Sequence, residues 1–446
     1  KEDLKIVDGR HWAAAVEMMG VGKIPLEVPK YQKKQFQEEL NSVDPEVRMS
    51  IIGSMGAQQV QETAQSLSTA QAMLAEGINE ENLKVTMDKI EGLFRLKDGV
   101  ESPSRYLGTD TKRWKVNEDG TEVPCWAIGS ESYLNEAVKT AETNFRKHNL
   151  DYSSSRSKGR DTPFKYPDYR PELDTTEPCD DDLISLYQNL IGILRWTCEL
   201  GRVDILHETS LLSQYLAQPR LGHLQEVINI FYYLKYHKRS WNVMNPCRFD
   251  IEWSPRTKDD VHPRERANAM KEIYPDTVDL KPHNMPEPRG NAVDITAWVD
   301  ADHAGNRVTR QSHTGIIIFI NMAPIIWYSK RQNTVETSTF GSEFIALKIC
   351  VELIESLVYK LCMFGVPIEG EARVLCDNES VVKSSSYPES SLKKKHCSVA
   401  YHKVHENAAA GEVLIYYEES RWNLADLLTK PLSASKRRPL VQAILH

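Results

Sequence analysis

The sequence predicts a multidomain α/β protein whose last third is a mixed β-sheet with helices on its faces. Three β-rich runs follow one another, separated by short polar or Gly/Pro turns: DITAWVD (294–300), GIIIFI (315–320) and PIIWYSKR (324–331). Such spacing is typical of an antiparallel meander. A long apolar segment at about 340–363 then predicts a helix, ended by the Gly and Pro that follow it.

Two further strands are predicted after that helix, RVLCD (373–377) and VLIYYEE (413–419), with helical segments between and after them. Strands that alternate with helices after an initial meander imply a mixed sheet with helices packed on it. We therefore expect five strands in this part of the chain.

Length and composition predict several domains in one soluble globular protein. The chain has 446 residues, of which 41% are hydrophobic and 26% charged, so two to four domains are expected. Composition and patterning place them at 1–87 (a helical segment of unknown function), 88–290 (mixed strand and helix) and 291–446 (the mixed sheet).

Helical periodicity is strong in the second of these regions, at 183–217 and 221–240. Residues 151–182 are predicted to be an exposed connection. A second polar stretch containing Pro, about 253–291, separates this region from the last one. Residues 1–87 contain an Ala/Gln-rich stretch made mostly of strong helix formers, which indicates packing or oligomerisation.

Several classes of protein are disfavoured by composition. No apolar run reaches the roughly 20 residues of a membrane span, and the net charge of −8 has the wrong sign for a protein that simply coats nucleic acid. The first residues carry no secretion signal, and the start at Lys1 suggests a fragment or processed product. Eight cysteines without zinc-ligand spacing fit a reduced, intracellular protein, and the cytoplasm, virus-like particles and the nucleus are the expected locations.

Four acidic residues, Asp300, Glu343, Asp377 and Asp426, stand where predicted strands end or helices begin. Carboxylates in such positions can converge on one edge of a sheet, where divalent cations would neutralise them. A pair of these cations can hydrolyse a phosphodiester.

Each acid also has an ordinary structural interpretation. Asp300 and Asp302 share a face if the strand continues, so spacing alone does not choose between them. Glu343, predicted in the first turn of the long helix, would be stabilised there by the helix dipole. Asp377 is followed by Asn378 in a good turn or cap sequence, and Asp426 stands three residues after Asn423, close to a capping box.

A family resemblance supports the metal-binding interpretation. WVDADHAG, QSHTGIIIFI, PIIWYSKRQNTVETSTFGSEFIALK, VLCDNESVV and NLADLLTKPL resemble the ribonuclease H domain of copia-type LTR retrotransposon polyproteins. The resemblance implies an RNase H-like fold with a five-stranded mixed sheet. It also implies that Asp300 rather than Asp302 joins Glu343, Asp377 and Asp426 as catalytic and metal-binding residues.

The resemblance extends upstream, to about residue 88, through FRLKDGVESPSRYLGTDTKRW, YQNLIGILRWTCELGRVDI and YLAQPRLGHLQEVINIFYYLKYHKR. These stretches resemble the end of a reverse-transcriptase palm with its thumb and connection. The Tyr-x-Asp-Asp turn and the earlier palm aspartate are missing, and the adjacent acids at 180–182 and 259–260 fall in polar connections. Polymerase activity is therefore not expected of this chain alone, although another polyprotein product could supply the palm.

The expected function is Mg²⁺-dependent hydrolysis of the RNA strand of RNA–DNA hybrids, with two ions and with Mn²⁺ as a substitute. An integrase is disfavoured because its acids come in the order Asp, Asp, Glu. The alternative that stays open is a catalytically idle retroelement remnant that binds nucleic acid or serves as a structural module.

Basic and imidazole side chains complete the predicted site. Lys330, Arg331, Lys393, Lys394 and Lys395 are candidates for phosphate contacts, although a solvated charged face explains the three consecutive lysines equally well. His396 and His402, with His405 nearby, could assist proton transfer or product release. The alternative is that these histidines belong to an ordinary amphipathic helix.

Overall fold

The structure is a computed structural model that describes residues 104–106, 108–150, 161–166, 168–251, 253–255, 260–277, 285–288, 290–388 and 398–446. The predicted segment 1–87 lies outside these residues, as do Lys393, Lys394, Lys395 and His396. The chain divides into two compact units. One contains Lys1–Leu107, Asn284–Ala292 and Leu361–Pro367, and the other contains Gly108–His283, Val293–Lys360 and Ile368–His446. The candidate site lies in the second unit, and the domain boundaries predicted at 87 and 290 stay predictions.

The first described elements are strands β1 (Arg105–Tyr106), β2 (Thr109–Glu118) and β3 (Thr121–Gly129). Strands β2 and β3 form an antiparallel hairpin. Its turn residues Asp119 and Gly120 both have positive φ, 49° and 84°, which an Asp-Gly pair accommodates in a two-residue hairpin turn. Strand β4 (Trp241–Met244) pairs antiparallel with β3.

Four helices pack together beside this hairpin. They are α1 (Glu131–Lys147), α2 (Asp181–Glu199), α3 (Leu206–Leu212) and α4 (Leu221–Tyr236). Their core contains Phe145, Tyr187 and Phe231. The single periodic run at 183–217 is broken by Gly201, whose φ of +99° ends α2 in the left-handed region. Asp180 caps α2 by accepting a hydrogen bond from Leu183 N at 2.9 Å. This is an ordinary structural role for one of the three adjacent acids at 180–182.

The predicted five-stranded mixed sheet is confirmed. Its strands are β5 (Ile295–Asp302), β6 (His313–Ile320), β7 (Ala323–Arg331), β8 (Ala372–Cys376) and β9 (Val413–Tyr417). They lie in the order β7-β6-β5-β8-β9. The first three strands in sequence form the antiparallel meander, whereas β8 and β9 run parallel to β5 and to each other.

Five helices accompany the sheet: α5 (Pro263–Ile273), α6 (Thr339–Met363), α7 (Glu379–Ser386), α8 (Ser398–Ala409) and α9 (Ala434–Ile444). Helix α6 buries Phe344, Leu347, Val351 and Ile354 completely. Among the described residues, none of the helices has the length and hydropathy that crossing a bilayer requires.

Three details of the sequence prediction are wrong. Strand β5 continues two residues past Asp300, because Asp302 still pairs with His313 of β6. Glu343 is the fifth residue of α6 and lies beyond its first turn. Asp426, which the family resemblance implies to lie on the last helix, lies instead in a short 3₁₀ segment, Leu424–Leu428, that precedes that helix.

A fourth correction concerns the stretch 253–291, which the sequence predicts to be a polar connection between two regions. It contains the 11-residue helix α5. Pro263 opens this helix and His262 caps it, while Ala267 and Met270 are buried. The stretch is polar overall, so its composition did not indicate this helix, which has only one narrow apolar face.

The upstream helices are joined to the sheet by buried polar contacts. Trp327 of β7 donates its Nε1–H to the carbonyl of Cys198 at 3.1 Å. Arg437 of α9 is only 2% exposed, donates to the carbonyl of Asp204 and lies 3.4 Å from Glu208. The candidate site therefore belongs to a body that includes residues well upstream of the sheet.

Candidate active site

Strand register places two of the four predicted acids side by side. Strands β5 and β8 are parallel neighbours in which Val299 pairs with Cys376. Asp300 and Asp377 follow this last pair of β5 and β8 directly, so they lie side by side at the same edge of the parallel part of the sheet. The edge where parallel strands end is a common place for a functional site.

The other two acids come from elements that cover this edge. Glu343 projects from the second turn of α6, and Asp426 from the segment Leu424–Leu428. Asn423 fixes that segment, because its side chain accepts from Ala425 N at 3.1 Å and donates to the carbonyl of Val299 at 3.1 Å. One hydrogen bond thus connects the turn that carries Asp426 to the strand that carries Asp300.

The structure brings all four acids together. One oxygen from each of Asp300, Asp377 and Asp426 lies within 4.8 Å of the other two, and Glu343, Asp377 and Cys376 form a second group with the same spacing. Asp377 belongs to both groups. Each group could hold one cation, with Asp377 shared between them.

Two residues that sequence reasoning missed lie against these carboxylates. Thr429 donates its hydroxyl to Asp300 Oδ2 at 2.5 Å. Lys430 Nζ lies 2.7 Å from Asp426 Oδ1 and 3.3 Å from Asp300 Oδ2. The spacing of Lys430 four residues after Asp426 was the available signal, since an acid and a base at that spacing commonly pair.

Burial and mutual repulsion raise the pKa values of three of the acids. Burial, and then the charges of Asp300 and Asp377, raise the pKa of Glu343 to about 8. Burial and Asp300 raise the pKa of Asp426 to about 7, and the pKa of Asp377 is raised by the same two causes. The negative charge gathered here exceeds what Lys430 neutralises.

The donor set fits a divalent cation. Four carboxylates supply hard oxygen ligands of the kind that Mg²⁺ prefers. Glu343 is 6% exposed, and within the described part of the chain its Oε2 has no hydrogen-bond partner. A buried carboxylate oxygen without a donor is costly unless a cation binds it.

An open cleft gives access to this cluster. It is lined by Asp300, Ala301, Asp302, His303, Thr339, Glu343, Asp377, Asn378, Glu379, Ser380, Ser420 and Lys430. Asn378, expected beside Asp377 as a turn or cap residue, caps α7 by accepting from Ser380 N at 2.9 Å. Asp302 lines the cleft but belongs to neither group of close carboxylates.

The remaining predicted residues lie further away. His402 is exposed on α8 and bonds through Nδ1 to the hydroxyl of Tyr274 at 2.8 Å, and it is absent from the described lining of the cleft. His405 is buried and contacts the carbonyl of Ser384 at 2.8 Å. Lys330 and Arg331 end β7, the former exposed and the latter half-buried. The auxiliary role of His402 and the phosphate contacts stay predictions.

Sequence comparison shows which proteins this chain is similar to. The chain is 27% identical over 247 residues to the Retrovirus-related Pol polyprotein from transposon RE1 of Arabidopsis thaliana, covering 55% of this chain and 14% of that protein. It is 30% identical over 250 residues to the polyprotein from transposon TNT 1-94 of Nicotiana tabacum, covering 56% of this chain and 15% of the tobacco protein. The chain is related to copia-type retrotransposon Pol polyproteins. It spans only about one seventh of the length of these two relatives.

Further matches are shorter. A putative transposon Ty5-1 protein of Saccharomyces cerevisiae is 39% identical over 177 residues, covering 40% of this copia-related chain and 43% of the yeast protein. No protein-family model matches.

Among solved structures, the N-terminal RNase H domain of a Mycobacterium tuberculosis protein covers 34% of this chain and 99% of that chain, at 16% identity and a TM-score of 0.25. LC11-RNase H1 in complex with an RNA/DNA hybrid covers 30% of this chain and 94% of its own, at 17% identity and the same TM-score. Scores this low add nothing to the argument from the strand order and the carboxylates.

Proposed function

We propose that this chain is a retrotransposon-derived ribonuclease H that hydrolyses the RNA strand of RNA–DNA hybrids. The observation that carries the proposal is the convergence of Asp300, Glu343, Asp377 and Asp426 into two adjoining groups that share Asp377. The relation to retrotransposon Pol polyproteins supports it.

The four carboxylates would hold two Mg²⁺ ions, with Mn²⁺ as a substitute. When bound, such ions would activate a water molecule and neutralise the charge that develops on the leaving oxygen. The protein's own contribution is geometric. Thr429 orients Asp300 through its hydroxyl, and Asn423 fixes the turn that carries Asp426 against β5.

Lys430 also contributes to this proposed site. Its ammonium group partly neutralises Asp300 and Asp426, which keeps the cluster compact when no other cation is present. Burial lowers the pKa of Lys430, but the charges of Asp300 and Asp426 outweigh burial and raise it. Lys430 is therefore protonated at neutral pH.

Cleavage of an end-labelled RNA–DNA hybrid in Mg²⁺ tests the proposal. Asp377→Asn and Glu343→Gln should each reduce cleavage on the order of a thousandfold or more, and EDTA should abolish it. Glu355→Gln is the matched control, because Glu355 lies on the same helix as Glu343 but pairs with Lys403 at 2.8 Å, away from the cleft. It should cleave as the parent does.

Binding distinguishes this function from the alternative of an idle remnant. The Asp377→Asn protein should bind the hybrid in EDTA as tightly as the parent, since the substitution removes a metal ligand and leaves the nucleic-acid contacts. A parent protein that binds the hybrid but leaves it intact in Mg²⁺ and in Mn²⁺ would support the remnant and refute the nuclease. A fully active Asp377→Asn variant would refute the site assignment.

A further inference from the structure

A second, more enclosed pocket lies beside the catalytic cleft, and we call it the seam pocket. Six of its lining residues have charged or imidazole side chains. They are Arg170, Glu172 and His207 from the segment before the sheet, and Asp302, His313 and Arg331 from the sheet and its loops. Asp302 also lines the catalytic cleft, so the two cavities adjoin. A group bound in the seam pocket would therefore lie next to the catalytic carboxylates.

The two arginines of the seam pocket are only partly compensated by nearby acids. Burial raises the pKa of Asp302 and the charge of Arg170 opposes this rise, so these two charges act on one another without a direct ion pair. Both arginines are half-buried, and neither forms an ion pair with a carboxylate of the described residues. The Nε–H of Arg170 is buried and, within the same residues, has no hydrogen-bond partner. A planar guanidinium is a fork of donors that matches two oxygens of a carboxylate or phosphate. Two such forks in one pocket indicate an oxyanion as ligand.

The other charged groups limit the charge of that ligand. Glu172 accepts a hydrogen bond from Arg307 N at 2.9 Å, which ties its carboxylate to the neighbouring loop. Asp302 brings a second carboxylate to the wall. Two arginines against two carboxylates leave the pocket near neutrality, so it suits a singly charged phosphodiester better than a multiply charged free phosphate.

The two buried histidines do not change this balance. Burial, and then the charge of Arg331, lower the pKa of His313 to about 3. Burial and His313 lower the pKa of His207 well below its usual value, with Arg170 adding to the effect. Both rings are therefore neutral at neutral pH. Their edge-to-face contact, with centroids 4.8 Å apart, forms an uncharged part of the wall.

The geometry points to the seam pocket as the binding site for one backbone phosphodiester of the nucleic acid held at the catalytic cleft. Arg170 and Arg331 bind this phosphodiester. This inference rests on the proposed function and deepens it. Arg331 is a candidate from the sequence, whereas Arg170 comes from far upstream of the sheet. The substrate-binding surface thus includes the segment that carries Arg170, upstream of the five-stranded sheet.

Hybrid binding in EDTA by the full chain carrying Asp377→Asn tests the pocket without cleavage. Arg170→Gln and Arg331→Gln should each weaken binding about tenfold at about 0.1 M salt. Each should also reduce by about one the slope of log Kd against log salt. Arg146→Gln is the control, because Arg146 is an exposed arginine at the end of α1. It should change neither quantity.

Hybrids with a single methylphosphonate identify the phosphate and its strand. Placed at successive positions of the RNA strand and then of the DNA strand, the neutral group should weaken binding by the parent about tenfold at one position. At that position it should have little further effect on the Arg331→Gln protein, because the contact is already lost. Equal weakening of parent and variant at every position would overturn the inference.

A conservative variant distinguishes the loss of a contact from misfolding. Arg170→Lys keeps the charge and loses the fork, so it should bind with an affinity between those of the parent and Arg170→Gln, at an unchanged thermal unfolding midpoint. If the parent binds and cleaves hybrids while both glutamine variants bind like the control, the pocket assignment is wrong and the nuclease stands. If the parent neither binds nor cleaves, the proposed function fails and the pocket assignment with it.

Discussion

Arg437 and Arg438 are adjacent in sequence, and replacing each by Met should have very different effects on stability. Arg437 is 2% exposed and faces Asp204, Glu208 and the ring of Tyr233. The side chain of Arg438 is 64% exposed and pairs with Asp161 at 3.0 Å. The first substitution leaves a buried carboxylate without its cation, and the second removes a surface ion pair.

The expected costs follow from this difference in burial. Removing one partner of a buried ion pair costs about 3–5 kcal/mol, because the remaining charge stays buried. An exposed pair contributes about 0–1 kcal/mol. Met in place of Arg437 keeps most of the apolar stem, so the lost charge accounts for most of the difference.

The pH dependence of the cost can be derived from Glu208. Burial raises its pKa to about 7, although Arg437 opposes this. An acid whose folded pKa lies above the unfolded value near 4.5 makes the protein less stable as pH rises from 4.5 through 7. Without Arg437 the folded pKa rises further, so this loss continues above pH 7. The destabilisation by Arg437→Met should therefore be larger at pH 8 than at pH 6.

Urea unfolding at both pH values, followed by tryptophan fluorescence, measures these quantities. Adding Glu208→Met to Arg437→Met should recover part of the loss, because the unpaired carboxylate is removed. A cost below about 1 kcal/mol for Arg437→Met, equal to that of Arg438→Met, would refute the reasoning.

Three further predictions concern the site and its surroundings. Thr429→Val removes the hydroxyl that bonds Asp300 and should lower kcat of hybrid cleavage about tenfold or more while leaving hybrid binding in EDTA unchanged; parental kcat would contradict the positioning role. Lys430→Met should increase Mg²⁺ affinity about tenfold in calorimetry, because a competing cation beside two carboxylates is lost; unchanged affinity would contradict it. The folded pKa of His313, about 3, lies below its ordinary value of 6.5, so its contribution to stability is present above pH 6.5 and is lost as pH falls towards 3. His313→Asn should therefore flatten the decline of the unfolding free energy over that range by up to about 1.4 kcal/mol per pH unit, and an unchanged profile would count against this.

The sheet could be predicted from sequence because its signals are local. The apolar β-rich runs of β5, β6 and β7, the turns between them and the long helix α6 each appear within a few consecutive residues. The positions of Asp300 and Asp377 could also be anticipated, because residues at or near the carboxyl ends of neighbouring parallel strands meet at one edge. Helix α5 was missed because only two of its eleven residues are buried hydrophobic side chains other than Pro.

The partners of the four carboxylates could not be predicted in the same way. Thr429 and Lys430 contact Asp300 across about 130 residues of chain, and no local pattern specifies which side chain will meet which. Asp302 is as acidic as Asp300, but the side chain of Asp300 joins Asp377 and Asp426 while that of Asp302 faces the cleft and the seam pocket.

The sequence by itself determined the strands, the long helix and the order of four acids, since these depend on periodicity and on residues close together in the chain. Only the tertiary structure decided which charges are buried and which are paired. Arg437 and Arg438 have the same chemistry, yet one lies among buried carboxylates and the other lies in solvent. The energy of a charge is set by the distance and dielectric of its surroundings, and these exist only once distant segments have packed together.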